Sequence, residues 1–172
     1  EHTVAMQRAI ALGEKGLGKT APNPIVGAVI IGMDGKVVGE GFHDRVSCPD
    51  HAEVVAIKAA GAKAKGATIV VSLEPCNHTG STGACVQAII DAGIATVVFA
   101  VSDPNEKAAG GADALRAAGI TVIEGVLKDE AAYSNRAWLM KIKKSRPFFT
   151  WKVAATLDGK VAAADGTSKW IS

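Results

Sequence analysis

Long apolar runs, basic stripes, paired cysteines and a signal-peptide core are all missing from this chain of 172 residues, and each absence removes a class of function. The longest near-apolar run, Pro24 to Met33, is far shorter than the roughly 20 residues a spanning helix needs, so no membrane segment is expected. With 19 basic and 17 acidic residues the net charge is only +2, and no Lys/Arg stripe marks a nucleic-acid surface beyond the short KIKKSR run at Lys141. That run reads as a solvated face near a helix end. Cys48, Cys76 and Cys85 make an odd count, which argues against a disulfide framework and for a reducing compartment, the cytoplasm. EHTVAMQRAIALGEKG carries charges throughout and has no uninterrupted apolar core of the secretory kind. No internal repeat of about 20 to 50 residues is visible. What is present, 48% hydrophobic and 21% charged residues, describes a soluble globular chain long enough for one domain plus a tail.

Periodicity places the elements. Met6, Ala9, Ile10 and Gly13 have helical spacing and predict an opening helix over 3–15. Ile25–Ile31 and Lys36–Phe42 are β-branched runs joined through GMDG, a hairpin signal. Asp50 can cap a helix over 51–61. Strand 68–73, helix 83–92, strand 95–101, helix 111–118, strand 120–125 and a longer helix over 127–142 then alternate. Alternation of this kind predicts a three-layer α/β/α sandwich with a mixed, mostly parallel sheet, the hairpin adding an antiparallel pair. RPFFTWKVAATLDGKVAAADGTSKWIS, after residue 145, does not continue the pattern. It reads as a strand and turn opening a further domain, so the expected division is a domain over 1–145 and a fragment over 146–172.

HAEVVAIKAAG begins with His51, and Glu53 follows two residues later. On a helix that separation is about 200° of rotation, so the two side chains should not both ligate one ion from the same face. Glu53, in the open first turn, can instead reach a water held by a metal on His51. Cys76 lies just past an apolar strand, after Pro75, where ligand-bearing residues of open α/β sheets sit. Cys85 falls in the first turn of the next helix, whose positive end favours a thiolate. One His and two Cys make a three-ligand zinc set that leaves a fourth position for water, and a non-ligand Glu beside it is the zinc-deaminase pattern. Other readings stay open on the residues alone. Asp50 to Glu53 also fits a capping box, free cysteines are commonly buried as small hydrophobes, and Cys48 or His78 could close a structural zinc site.

TAPNPIVGAVI, GEGFH with HAEV, SLEPCNHTGSTGAC, VSDPNEKAAGGA with LRAAGI, and the tail resemble, in order and over almost the whole chain, the blocks of the bifunctional riboflavin-biosynthesis deaminase/reductase family of the cytidine-deaminase-like superfamily. The resemblance accounts for the long Cys76-to-Cys85 spacing. It implies a zinc-dependent hydrolysis of the 2-amino group of 2,5-diamino-6-ribosylamino-4(3H)-pyrimidinone 5′-phosphate, with ammonia released. His51, Cys76 and Cys85 would hold one Zn²⁺ per chain and Glu53 would shuttle protons. Asn23, His43, His78 and Thr82 would contact the substrate. On the residues alone, Asn23 is also ordinary turn chemistry between prolines, and His43 and His78 could be strand-end and loop histidines.

The sequence departs from the family in Ser81-Thr82-Gly83-Ala84-Cys85, where relatives carry Lys or Arg followed by Thr-Pro-Pro-Cys. The phosphate anchor is then expected at Thr82, at backbone N–H groups or at a basic side chain such as Arg45. HDRVSCPDHAE is one residue longer than the family spacing, and Cys48 within it is given no catalytic role. The tail resembles the opening strand of a dihydrofolate-reductase-like domain, in which Ala154, Ser168 and Trp170 would contact NADPH or substrate. The implied form is a truncated one without reductase activity. Phe148, Phe149 and Trp151 are expected to pack on the deaminase domain or on a second chain, as in a homo-oligomer. The rival readings are a nucleoside, free-base or tRNA deaminase, and a non-catalytic binding module with structural zinc.

Overall fold

The computed structural model describes residues 2–78 and 83–168. Helix α1 (His2–Glu14) buries Ala5, Met6, Ala9 and Leu12, the one-sided stripe expected of a helix lying on a sheet. The hairpin strands β1 (Gly27–Ile31) and β2 (Val37–Phe42) follow. Their turn needs Gly35, which takes a φ of 76°. Next come α2 (Ala52–Ala60), a 3₁₀ turn (Gly61–Ala64), β3 (Thr68–Leu73), α3 (Cys85–Asp91), β4 (Thr96–Val101), α4 (Gly111–Ala117), β5 (Thr121–Glu124), α5 (Lys128–Ser134) and α6 (Arg136–Lys144).

The sheet order is β2-β1-β3-β4-β5. The sheet is mixed and mostly of one direction, as expected: β1 opposes both β2 and β3, while β3, β4 and β5 run parallel, so four of the five strands point the same way. The hairpin is the reason. Because β1 lies between β2 and β3 and opposes each, α2 is the crossover joining two strands of the same direction. Alternation along the strands separates two apolar layers. Ala28, Ile30, Ile69, Val71 and Val97 face α2, α3 and α4. Val29, Val70, Val98 and Ala100 face α1 and α5. Each fully buried branched side chain, such as Ile69, contributes about 1.5–3 kcal/mol.

Two expectations are corrected. The single helix over 127–142 is two helices that meet at Asn135, whose φ and ψ are −91° and 11°. Its buried side-chain amide accepts the Ile25 N–H at 3.1 Å and donates to the Ile25 carbonyl at 2.8 Å. It thereby satisfies backbone groups just ahead of β1 that no strand reaches. Secondly, the tail forms no strand over the described residues 146–168. A single strand has no ladder partner there, and only short turns close it, such as Thr156 N–H to the Lys160 carbonyl at 2.9 Å. Phe149 and Trp151 are 80% and 88% exposed, so of the two covers expected for them, the body or a second chain, they do not use the body. Phe148 alone reaches it, its ring lying 5.6 Å from the Arg136 guanidinium. No helix among the described residues is long and apolar enough to cross a membrane.

Candidate metal centre

At Gly41 of β2 an added Cβ would stand 2.4 Å from the Ala52 carbonyl oxygen, so the first turn of α2 rests directly on bare strand backbone. This contact brings His51 and Glu53 to the carboxyl end of the sheet. His51, not Asp50, is the N-cap position, and it makes no side-chain capping bond. The Asp50 carboxylate is engaged by Lys58 Nζ at 2.5 Å. The capping box is therefore not formed, and Glu53 turns inward to be 3% exposed.

β3 delivers Cys76 to the same place. At Gly111 an added Cβ would lie 1.9 Å from the Pro75 carbonyl oxygen, so the start of α4 is packed against the residue preceding Cys76. Glu74, which sequence reading overlooked, anchors this corner. Its buried carboxylate accepts the Asp103 and Ala112 N–H groups, each at 3.0 Å. Cys85 opens α3 and points its N–H at Cys76 Sγ, 3.5 Å away, while Val86 N–H bonds the Cys76 carbonyl at 3.2 Å. His51 Nδ1 lies 3.2 Å from Cys85 Sγ and 3.6 Å from Cys76 Sγ. All three ligand atoms fall within 4.8 Å of one another.

Zinc bonds of about 2.0 Å to nitrogen and 2.3 Å to sulfur, set tetrahedrally, separate the ligand atoms by roughly 3.5–3.8 Å. The donor set and its spacing fit Zn²⁺. Neither Cys48 nor His78 joins this group among the described residues. Cys48 instead donates its N–H to the Asp44 carbonyl at 2.8 Å in the preceding turn.

The electrostatics follow from the crowding. Cys76 is held far below the ordinary thiol range, at about 4, because Cys85 and His51 hydrogen-bond its sulfur against the cost of burial. Cys85, whose S–H is held by that sulfur, is pushed up. The bond to Cys76 raises His51. Burial, followed by the Cys76 charge, pushes Glu53 up to about 7. A carboxyl so placed can take up and return a proton near neutrality.

A second layer surrounds this floor. His43 is 3% exposed, and its ring stands edge-on to that of His51, with centroids 5.1 Å apart. Its Nδ1 is 3.0 Å from the Asp50 carbonyl oxygen, so Nδ1 is the protonated nitrogen. Nε2 is then free to accept from Asn23 Nδ2 at 3.2 Å. That bond leaves the Asn23 amide oxygen available as an acceptor. Burial lowers the pKa of His43, which keeps the imidazole neutral.

These groups open on a cavity of about 360 Å³, the size that holds a small ligand. Asn23, His43, His51, Glu53, Cys76 and His78 all line it. Thr82 and Ser81 lie outside the described residues. Arg45, one expected anion contact, donates to the Ala21 carbonyl at 2.8 Å and is not in the wall. Ala154 and Ser168 are not in the wall either, and Trp170 lies outside the described residues.

Sequence reading missed a further part of the wall. Asp103 and Asn105 enter from the β4–α4 loop, and Trp138, Lys141 and Ile142 from α6. The KIKKSR run is therefore not solely a solvated face, since Lys141 borders the cavity. The i, i+3, i+4 spacing of Trp138, Lys141 and Ile142 was the available signal of a shared face.

Comparison with known proteins bears on the same residues. The family described as the cytidine and deoxycytidylate deaminase zinc-binding region matches residues 1–101. The chain is similar to riboflavin biosynthesis protein RibD of Mycobacterium tuberculosis, with 50% identity over 169 residues, 98% of this chain and 50% of that protein. RibD of Escherichia coli is 47% identical over 168 residues, covering 97% of this chain and 45% of that protein. A crystal structure of the Thermotoga maritima diaminohydroxyphosphoribosylaminopyrimidine deaminase/5-amino-6-(5-phosphoribosylamino)uracil reductase superposes with a TM-score of 0.93 and 45% identity, over 99% of this chain and 49% of that one. The chain thus spans about half the length of the relatives it matches.

Proposed function

The chain belongs to the cytidine and deoxycytidylate deaminase zinc-binding family, and from that premise we propose that it is a zinc-dependent aminohydrolase acting on 2,5-diamino-6-ribosylamino-4(3H)-pyrimidinone 5′-phosphate. The product is 5-amino-6-(5-phosphoribosylamino)uracil, and the amino group leaves as ammonia. One observation carries the reading: His51, Cys76 and Cys85 converge within 4.8 Å at the floor of a cavity whose wall includes the buried Glu53. The names and coverage of the RibD relatives support the choice of substrate.

His51, Cys76 and Cys85 would hold Zn²⁺, which supplies, when bound, the Lewis acidity that makes water a nucleophile near neutral pH. Glu53 takes one proton from the attacking water and gives it to the ring nitrogen. It then carries the second, from the hydroxyl now on the ring carbon, to the amino group, which leaves as ammonia as the C–N bond breaks and the carbonyl forms. Its burial excludes bulk water from that transfer. His43, pinned by the Asp50 carbonyl, orients Asn23, whose free amide oxygen accepts from a donor on the substrate. His78 and Thr82 would complete the contacts.

Residues 146–172 read as the start of a reductase domain, in which Ala154, Ser168 and Trp170 would face NADPH. The exposed Phe149 and Trp151 suit burial against such a domain or in a homo-oligomer. Free thiols at Cys48, Cys76 and Cys85 suit a cytoplasmic setting.

The test is ammonia release from the ribotide by native and Glu53→Gln proteins, with bound zinc quantified in each. The native protein should release ammonia with one zinc per chain, and Glu53→Gln should keep the metal and lose turnover. Full turnover in Glu53→Gln with zinc in place overturns the role of Glu53. No ammonia from the zinc-loaded native protein overturns the substrate assignment.

A further inference from the structure

The cavity wall is unevenly charged. Apart from the buried Glu53 at its floor, its carboxylates are committed to the fold: both Glu74 oxygens hold backbone N–H groups, and Asp103, raised chiefly by burial, accepts the Asn105 N–H at 2.8 Å. Lys141 is the single Lys or Arg among the described wall residues. None of the ion pairs among the described residues includes it.

Lys141 is also held in place. It lies on α6 between Trp138 and Ile142 along one helical face, and α6 starts at Asn135, whose amide grips the Ile25 backbone. The metal-ligating group and Glu53 occupy the buried end of the cavity, whereas Lys141 is an exposed residue at its outer wall. A ligand that spans the cavity must therefore place a reacting ring at the buried end and an anionic group at the solvent end.

We infer that Lys141 is the anion-recognising residue of this site and selects ring substrates bearing a phosphomonoester. The inference deepens the deaminase reading and rests on it for the identity of the ring. A phosphomonoester brings up to two negative charges and three acceptor oxygens, and an ammonium contact to it is a charge-assisted hydrogen bond. An unphosphorylated nucleoside has no group for Lys141 to hold. Lys141 thereby separates a ribotide deaminase from a nucleoside deaminase on the same floor.

Two measurements on the zinc-loaded chain test this, with native, Lys141→Met and Lys141→Arg proteins. The first compares kcat/KM for ammonia release from the ribotide and from its dephosphorylated riboside. The preference for the ribotide should fall about tenfold or more in Lys141→Met and return in Lys141→Arg. The second titrates ribose 5-phosphate into each protein by calorimetry, where Lys141→Met should weaken binding about tenfold or more. Unchanged preference and unchanged affinity in Lys141→Met overturn the inference, as does a native protein that neither prefers the ribotide nor binds ribose 5-phosphate. If neither ring compound yields ammonia, the deaminase reading fails. A Lys141-dependent affinity for ribose 5-phosphate would still uphold the anion site.

Discussion

The two walls of the cavity are built on different principles. On the inner wall, His51, Glu53, Cys76 and Cys85 sit at the first turns of α2 and α3 and just past the end of β3, where bare glycine backbone lets the elements touch. Their hydrogen bonds run among themselves, and burial with mutual charge shifts their protonation. On the outer wall, Trp138, Lys141 and Ile142 belong to one late helix, anchored through the side-chain amide of Asn135. The difference teaches that reactivity and selectivity are held separately: the inner wall decides what chemistry occurs, and the outer wall decides which molecule meets it.

Substitutions should grade along that contrast. The largest effect is expected for Cys76→Ser, which removes a thiolate from the three-donor group. Zinc content should fall well below one per chain and ammonia release should drop by about a thousandfold or more, as measured by metal analysis and steady-state assay. Glu53→Gln should follow, lowering kcat by roughly 10²–10⁴ while metal is retained, the range expected for loss of a positioned proton carrier. If both substitutions acted only through stability, the inner wall would be a structural device and the contrast would collapse.

Asn135→Ala probes the outer wall. It leaves the buried Ile25 N–H and carbonyl without their partner, so urea unfolding should show a loss of about 2–3 kcal/mol. KM should rise more than kcat falls, because α6 and the Asn23 segment lose their common anchor. A fall in kcat with KM unchanged, together with no change in stability, would contradict this division. The smallest effect belongs to neither wall. Trp151 is 88% exposed, and Trp151→Ala should change the unfolding free energy by less than about 0.5 kcal/mol. A larger change would mean that the tail packs on the body in solution.

The inner wall was legible in the chain because its residues are rare types at diagnostic spacing, and His-x-Glu with Pro-Cys announces chemistry before any contact is known. Asn23 and His43 were legible only through family resemblance. Their hydrogen bond joins a loop to a strand end, and no local period records it. Glu74 was overlooked because a carboxylate after a strand looks like an ordinary surface acid until the Asp103 and Ala112 N–H groups close on it. The split at Asn135 was hidden for a similar reason. Apolar spacing runs through both helices, and the break comes from a partner 110 positions away. The tail's missing strand also follows from partners, since β-branched sequence alone supplies no neighbouring edge.

By itself, the order of residues determined the α/β alternation, the two apolar layers and the set of donors suited to zinc, because these depend on local periodicity and side-chain chemistry. Tertiary structure alone decided that β1 would oppose two strands, that Glu53 would face inward instead of capping its helix, and that Lys141 would line the same cavity as His51. Those outcomes depend on which distant backbone groups need hydrogen-bond partners and which faces can approach without a side chain between them. Such requirements exist only once the chain has closed on itself.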